Sequence, residues 1–265
     1  MSAGAEGTVT LRREPGILFI GLNRPEKRNA LNAQMIDGLI AAVESIDLES
    51  CSVVVISGVP GYFSAGADIS GYRDATTNTA SLAEFTDRAK ALCRSLTTSG
   101  AIVIAAVDGV AMGGGLELVL SADLVVATPS SRFALPEIKL GLIPGWGGTQ
   151  RLVNYLGPNR AKESILLGEA FGVELAHELG IVNRVVPSDE LDTAAADLAR
   201  SLATRAPLAL RAAKAAVNAS YDATAGQDRG SGLETELLLE LFASEDGREG
   251  IAAFVEKRSA TFVGR

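Results

Sequence analysis

The sequence predicts an α/β protein with a helical C-terminal region. Continuous apolar runs such as Ile102–Val107 suit strands of a parallel sheet that is covered on both faces. Segments with helical spacing alternate with these runs, which indicates parallel strands joined by right-handed crossovers. From Leu191 onward only helical patterns remain. We therefore expect an α/β body over residues 1–200 and a helical region over residues 201–265.

Length and composition favour one large globular body. The chain has 265 residues, of which 47% are hydrophobic, so it can bury a substantial core. The formal net charge of −8 argues against general affinity for nucleic acids or acidic membranes, because those ligands require an extended basic surface. An anionic ligand must therefore be bound by local cations.

The cysteines and the N-terminal residues indicate the compartment. Cys51 and Cys93 lie in or beside apolar segments without metal-binding spacing, so we expect buried free thiols in a reducing compartment. Residues 1–11 resemble neither a signal peptide nor a transit peptide. No apolar run approaches the ~18 residues of a membrane-spanning helix. These features predict a soluble, cytoplasmic protein.

The first elements follow from local patterns. Two short strands, Val9–Arg13 and Ile17–Leu22, flank a Pro-Gly turn and predict a hairpin. Apolar residues then recur at helical spacing as far as Ile46, and Asn32 can cap the start of this helix. A buried strand over Val53–Ile56 follows the helix.

A cationic segment lies between the hairpin and this helix. Arg24, Lys27 and Arg28 fall within five residues of an otherwise acidic chain. A solvated loop is the simpler interpretation, and contact with an anion is the alternative.

The middle of the chain repeats the pattern of strands and helices. A loop over Ser64–Asp68 precedes a helix over Leu82–Leu96, which leads into the strand Ile102–Val107. The glycine run Gly113–Gly115 then marks a strand-to-helix turn. This turn places Glu117 in the first turn of a short buried helix.

The later elements are shorter. We expect strands over Leu124–Ala127 and Val182–Val186, an extended piece over Arg132–Ala134 and a loop over Gly141–Thr149. The expected breaks in the C-terminal helical pattern are near Pro207, Gly226, Gly232 and Gly247.

The glycine run also indicates chemistry. Glycines at a helix start leave unpaired N–H groups pointing outward, where they can stabilise an oxygen that gains negative charge. Glu117 adds a carboxylate for proton transfer only a few residues away. Glu137, between Pro136 and Ile138, is a second glutamate in an apolar setting. Each glutamate alone leaves function open, but together with the glycine donors they favour a catalytic carboxylate pair.

Several familiar sites can be excluded. Leu118 stands where a dinucleotide-binding fingerprint needs a third glycine, and the chain has no phosphate-binding Gly-Lys-Ser/Thr loop. A serine-hydrolase elbow needs glycine two residues before its serine, but Tyr62 stands at that position before Ser64. His177 is the only histidine, so we expect neither a metal site nor a catalytic imidazole. Trp146 is better suited to packing than to stacking on a ligand.

The sequence resembles the crotonase superfamily, and most closely its enoyl-CoA hydratases. The resemblance runs nearly end to end, and the order and spacing of its motifs are highly specific. The matching segments are Asn23-Arg24-Pro25, Asn29–Asn32, Phe63–Ile69, Ala105–Val107, Gly113–Leu118, Ala122-Asp123, Phe133–Glu137, Gly141–Leu152, Arg248–Gly250 and Ala253–Arg258.

The resemblance implies a spiral of strand-strand-helix turns, with a C-terminal region that builds homotrimers or hexamers. It implies reversible syn addition of water to a trans-2-enoyl-CoA, with no cofactor because coenzyme A is part of the substrate. By this resemblance, the N–H groups of Ala67 and Gly114 form an oxyanion hole for the thioester oxygen. Glu117 is then the base that activates water, and Glu137 supplies the proton to the substrate.

The same resemblance implies which residues contact coenzyme A. The cationic segment and the following loop flank the nucleotide, and the C-terminal helix of a neighbouring subunit approaches its phosphates. The residues carried over in this way are Lys27, Arg28, Ala65, Gly66, Asp68, Gly113, Phe254 and Lys257.

Two other functions stay open at this point. An enoyl-CoA isomerase of the same superfamily shifts a double bond with one carboxylate. An RNA-binding homologue is the second, but the first helix carries acidic residues and no lysine. The segment Gly71–Ala80 is expected to lie near the acyl chain.

Overall fold

We describe residues 7–68, 79–219, 238, 240, 241 and 244–265 of a computed structural model, with only the backbone considered at 79, 80 and 254. The strands are β1 Val9–Glu14, β2 Gly16–Leu22, β3 Cys51–Ser57, β4 Tyr62–Ser64, β5 Ile102–Val107, β6 Val110–Met112, β7 Leu124–Ala127, β8 Arg132–Ala134, β9 Phe171–Gly172 and β10 Arg184–Val185. The helices are α1 Ala33–Glu44, α2 Thr79–Thr98, α3 Gly114–Val119, α4 Gly148–Leu167, α5 Val173–Glu178, α6 Leu191–Ala203, α7 Pro207–Ala219 and α8 Glu245–Glu256.

The larger sheet has the strand order β1-β2-β3-β5-β7-β10. Strands β1 and β2 form an antiparallel hairpin, and the remaining pairs are parallel. Side chains alternate between two apolar layers, as the period of a strand requires. Val54 and Val103 belong to the main core, whereas Val53 and Ile104 pack toward α6. Covering on both faces explains why these strands are continuously apolar.

A second sheet has the order β4-β6-β8-β9, with β4, β6 and β8 parallel and β9 antiparallel to β8. Successive strands alternate between the two sheets before each helix. The units β3-β4-α2, β5-β6-α3 and β7-β8-α4 therefore repeat one strand-strand-helix turn. The α/β spiral inferred from the sequence is confirmed by this arrangement.

Most local predictions agree with the structure. The hairpin forms as expected, and Asn32 caps α1 by accepting a hydrogen bond from the N–H of Met35 at 2.9 Å. Strand β5 has the predicted bounds. Both cysteines are buried free thiols. Within the described segments, no helix is both long enough and apolar enough to span a bilayer.

Two predictions need correction. Strand β6 lies between the buried strand and the glycine run, because Gly109, at φ +66°, turns the chain into the second sheet. The strand expected over Val182–Val186 is confined to β10, where the chain only briefly pairs with β7. The break in the helical pattern expected near Gly247 is present, because Ser244 is a bend and α8 begins at Glu245. The N–H of Gly247 donates to Ser244 Oγ at 2.9 Å, so Gly247 lies in the capped first turn of α8.

Helices α6 and α7 follow the body of the chain. Helix α6 covers one face of the larger sheet and includes residue 200. The division of the chain at that residue stays a prediction. Lys214 of α7 is buried and donates to Asp123 Oδ2 at 2.7 Å and to the carbonyls of Leu96 and Ala101, each at 2.9 Å. Three acceptors thus satisfy one buried ammonium group.

The Lys214→Met variant should be destabilised by about 3–5 kcal/mol, because it leaves the Asp123 carboxylate buried without its cation. Urea denaturation followed by circular dichroism measures this change in the free energy of unfolding. The double variant Asp123→Asn, Lys214→Met is the control, and it should lose less than the single variant. An equal or smaller loss in the single variant would show that the ion pair is dispensable.

Candidate active site

The glycine run begins a short buried helix at the end of the second sheet. Gly113 adopts φ +51°, which favours glycine, and α3 begins at Gly114. All six residues of α3 are buried. The amide of Gly114 has no hydrogen-bond acceptor among the described residues. Gly114 lines a cavity, and its role as an oxyanion donor stays a prediction.

Glu117 is the most deeply buried carboxylate of this region, with 1% of its surface exposed. Its Oε1 atom accepts hydrogen bonds from the backbone N–H groups of Trp146 and Gly148, both at 2.7 Å. Burial raises the pKa of Glu117 to about 7, while the two N–H donors oppose that rise. The charge of Glu137 raises this pKa further, and the charge of Arg151 lowers it.

Glu137 lies in a 3₁₀ turn over Pro136–Leu140, directly after β8. Burial raises the pKa of its carboxyl group. Its Oε2 atom is buried and has no hydrogen-bond partner among the described residues. Its Oε1 atom would lie 2.9 Å from a Cβ atom placed on Gly113. The side chain therefore points at the glycine run, and a buried polar atom there is available to a ligand or a water.

Ala67 approaches the glycine run from the other side of the site. Ala67 and Leu31 form a parallel bridge, in which the Leu31 N–H donates to Gly66 and the Asp68 N–H donates to Leu31. This pattern directs the Ala67 N–H away from Leu31. A Cβ atom on Gly66 would lie 2.8 Å from the carbonyl oxygen of Met112, so the two loops are in close contact.

These groups line one cavity of about 530 Å³. Glu117, Glu137, Ala67 and Gly114 contribute its polar side. Its apolar walls are formed by Leu82, Pro136, Leu140, Leu142, Ile143 and Trp146. The cavity thus combines a carboxylate pair and the two residues predicted to supply backbone donors with a surface suited to a hydrocarbon chain.

Trp146 is a packing residue, as expected, and it also has a role that the sequence analysis missed. Its indole is 4% exposed and packs edge-on against Phe85, with ring centroids 5.7 Å apart. It also covers Gly114, whose added Cβ would lie 2.1 Å from the ring. The backbone N–H groups of Trp146 and Gly148 both donate hydrogen bonds to the Glu117 carboxylate. The only sequence signal was the glycine-rich stretch that contains both residues.

The cationic segment is more ordered than a solvated loop. Arg24 pairs with Asp68 at 2.9 Å, and both side chains are less than 15% exposed. Arg24 is therefore not the solvent-facing residue that the sequence allowed. Lys27 and Arg28 are exposed, and the Arg28 guanidinium lies 5.3 Å from the ring centroid of Tyr62. These two side chains are accessible to an anion outside the cavity.

The other residues predicted to contact coenzyme A are distributed unevenly. Ala65, Gly66, Asp68 and Gly113 line the cavity. Lys257 is exposed in the C-terminal segment. The side chain of Phe254 lies outside the described residues, as do residues 71–78 of the segment expected near the acyl chain.

His177 has a structural partner. Its Nδ1 atom forms a 2.8 Å hydrogen bond with the carbonyl of Val182 at the end of α5. In the described part of the chain, no group of three or more His, Cys, Asp or Glu residues is arranged to hold a metal ion.

The chain matches proteins of known family over nearly all its length. A sequence profile described as enoyl-CoA hydratase/isomerase matches residues 12–265. The 2,3-dehydroadipyl-CoA hydratase of Escherichia coli K12 is 40% identical over 96% of this chain and 97% of its own length. The short-chain-enoyl-CoA hydratase of Clostridium acetobutylicum is 35% identical over 94% of this chain and 95% of its own length.

The fold has close structural relatives as well. The crystal structure of an enoyl-CoA hydratase from Bacillus anthracis superposes with a TM-score of 0.90 at 31% identity. The superposition covers 97% of this chain and 100% of the other.

Proposed function

The chain belongs to the enoyl-CoA hydratase/isomerase family, and we propose that it is an enoyl-CoA hydratase acting on trans-2-enoyl-CoA thioesters. It adds water reversibly, with syn stereochemistry, to give a 3-hydroxyacyl-CoA. The observation that carries this proposal is that Glu117, Glu137, Ala67 and Gly114 all line one cavity. Near-full-length relatives named as enoyl-CoA hydratases support it.

Glu117 is proposed to activate the water. Its Oε1 atom is occupied by two amide donors, so Oε2 is the atom available to accept a proton from water in the cavity. A pKa of about 7 suits a general base at neutral pH, since a substantial fraction is ionised and the proton affinity is still high. The water oxygen then bonds to C3 of the enoyl group.

Glu137 is proposed to supply the proton to C2. Burial raises its pKa and so favours the protonated form that a general acid needs. As the new C–O bond forms, negative charge moves to the thioester oxygen. The amides of Ala67 and Gly114 are proposed to stabilise that charge, because both residues line the cavity. Transfer of the proton from Glu137 to C2 completes the addition, and exchange with solvent restores both carboxyl groups.

The reaction requires no cofactor beyond the coenzyme A carried by the substrate. We propose that Lys27 and Arg28 contact its phosphates, because both cations are exposed beside the loop that supplies Ala67. Lys257 and Phe254 of a neighbouring subunit are proposed to complete that contact.

The direct test of the function uses two substrates. The purified protein is incubated separately with a trans-2-enoyl-CoA and a trans-3-enoyl-CoA, and the products are separated by chromatography. A hydratase forms the 3-hydroxy product rapidly from the trans-2 thioester alone. Double-bond migration without that product would support the isomerase, which is not favoured because two carboxylates line the cavity.

The pH dependence follows from the two carboxyl groups. Glu117 must be ionised to act as a base, and its pKa is raised to about 7, so kcat/KM should fall as the pH drops through that value. Glu137 must be protonated, and its pKa is also raised, so activity should fall again once it ionises at higher pH. Initial rates across buffers of constant ionic strength measure the profile. A flat acid side below neutrality would contradict the role of Glu117.

Oligomerisation and location are part of the proposal. Exposed apolar side chains in the C-terminal region, Ile251, Val255 and Val263, favour coverage by other copies of the chain in a homotrimer or hexamer. Light scattering coupled to size-exclusion chromatography tests this state.

The buried free thiols favour a cytoplasmic location. We do not propose binding of nucleic acid, and a salt-dependent shift with single-stranded RNA would contradict this.

A further inference from the structure

Arg151 forms a hydrogen bond to the Trp146–Gly148 segment, whose N–H groups bind Glu117. It lies in the first turns of α4, and its Nη1 atom donates to the carbonyl of Trp146 at 2.9 Å. The N–H of the same Trp146 donates to Glu117 Oε1. The backbone of Trp146 is therefore held at two atoms: its carbonyl oxygen accepts from Arg151, and its N–H donates to Glu117.

The fit of the guanidinium group against this loop is close. Gly147 lies between the two amide donors and adopts φ +105°, a conformation that other residues rarely adopt. A Cβ atom on Gly147 would lie 2.3 Å from Arg151 Nη1. The guanidinium thus packs directly on the backbone that supplies the donors, and the loop has little freedom to move away from Glu117.

Arg151 does not lie in the candidate active site itself. It lines a second cavity of about 490 Å³, together with Asp123, Lys214 and Tyr155. A role in binding substrate is therefore not indicated for this side chain. Its influence on the reaction must pass through the loop and through its charge.

The charges around Glu117 and Arg151 define that influence. Glu137 faces Glu117 and disfavours its ionised form, whereas Arg151 favours it. Cys93 of α2 lies near both, and burial raises the pKa of its thiol to about 12, so it is neutral near pH 7. In the second cavity, Asp123 and Lys214 form an ion pair of zero net charge. Among these described groups, Arg151 is the cation that favours the ionised form of Glu117.

We propose that Arg151 is a positioning residue for hydration: it keeps the Trp146 and Gly148 amides on Glu117 and supplies the positive charge that balances its carboxylate. This inference rests on the proposed function. It predicts an effect on turnover and on its pH dependence, with little effect on the binding of the thioester.

The test compares Arg151→Gln, which keeps a hydrogen-bond donor but loses the charge, with Arg151→Lys, which keeps the charge but loses the planar fork. For each, kcat and KM with crotonyl-CoA are measured from about pH 6 to about pH 9. We expect Arg151→Gln to lower kcat by ~10–10²-fold near neutrality. The fall of kcat toward low pH, here called the acid limb, should move to higher pH, and kcat should partly recover in alkaline buffer. Arg151→Lys should keep the acid limb of the unmodified protein and lose ~3–10-fold in kcat. In both variants KM should change by less than ~3-fold.

A loss of kcat in Arg151→Gln that is equal at every pH, with an unmoved acid limb, would overturn the proposal, and so would a rise in KM with unchanged kcat. If the glutamine variant does not fold, the lysine variant decides. Lowered kcat with KM and acid limb kept supports the role, whereas unchanged kcat overturns it. Absence of hydration by the unmodified protein would instead reject the proposed function, so the two failures are distinguishable.

Discussion

Replacing Glu117 with glutamine should lower kcat for the hydration of crotonyl-CoA by at least ~10²-fold, because the base that accepts the proton of water is removed. Glu137→Gln should cause a loss of similar size, since it removes the group that protonates C2. The double variant should lose less than the product of the two, because both residues act on the same water. Stopped-flow or steady-state rates at saturating substrate measure these effects.

The controls for these variants are binding and stability. A thioester that cannot react should bind both variants with nearly unchanged affinity, since coenzyme A contacts are untouched. Glutamine at position 117 keeps an Oε1 acceptor for the amides of Trp146 and Gly148. The folded pKa of Glu117 is raised from 4.5 to about 7, so the fold loses stability as the pH rises between these values, and the glutamine variant should be at least as stable above about pH 7. Turnover close to that of the unmodified protein in either variant would refute that residue's role.

Gly114→Ala should be the second severe change, because it removes the space that Trp146 occupies. The new Cβ would lie 2.1, 2.6 and 2.7 Å from three atoms of the indole ring, so the ring must move. Overpacking of this kind costs about 1–3 kcal/mol. Movement of Trp146 also displaces its backbone N–H from the Glu117 carboxylate, so we expect kcat to fall by ~10² or more.

Tryptophan fluorescence measures this change directly, because the chain contains a single tryptophan. Emission from Trp146 should shift to longer wavelength in Gly114→Ala as the indole leaves its buried site. The matched control is Gly250→Ala in α8, where a Cβ would meet only Phe262 at 3.5 Å. That variant should keep its activity and be more stable by up to about 1 kcal/mol, since alanine favours a helix. Unchanged emission and activity in Gly114→Ala would contradict the close packing of Trp146 on the glycine.

The fold was largely predictable because its signals are local. The apolar run Ile102–Val107 predicts a strand buried on both faces, and the structure places α6 on one face and the main core on the other. The short strand β6 was missed, because three residues are too few to show a period. The break expected near Gly247 agrees with the start of α8 at Glu245, but the capping hydrogen bond from the Gly247 N–H to Ser244 is not visible in an amino-acid pattern.

The sequence indicated the candidate carboxylates of the site, but not the contacts that hold the site together. Glu117 and Glu137 stand out as carboxylates in apolar segments, and their common cavity agrees with that expectation. The ion pair between Arg24 and Asp68 was not anticipated, since it joins a residue after β2 to one after β4. Resemblance to the family named Ala67 as a donor, and the parallel bridge to Leu31 supplies the geometry that turns its N–H outward.

The sequence by itself determined the alternation of buried strands with helices, the helix start at Gly114 and the position of Glu117 in its first turn, because each depends on residues that are neighbours along the chain. Only the tertiary structure decided how Glu117 is held. Its donors, Trp146 and Gly148, are 29 and 31 residues away, and Arg151 supports them from the following helix. Contacts between residues so far apart depend on how the spiral closes, and no local period carries that information.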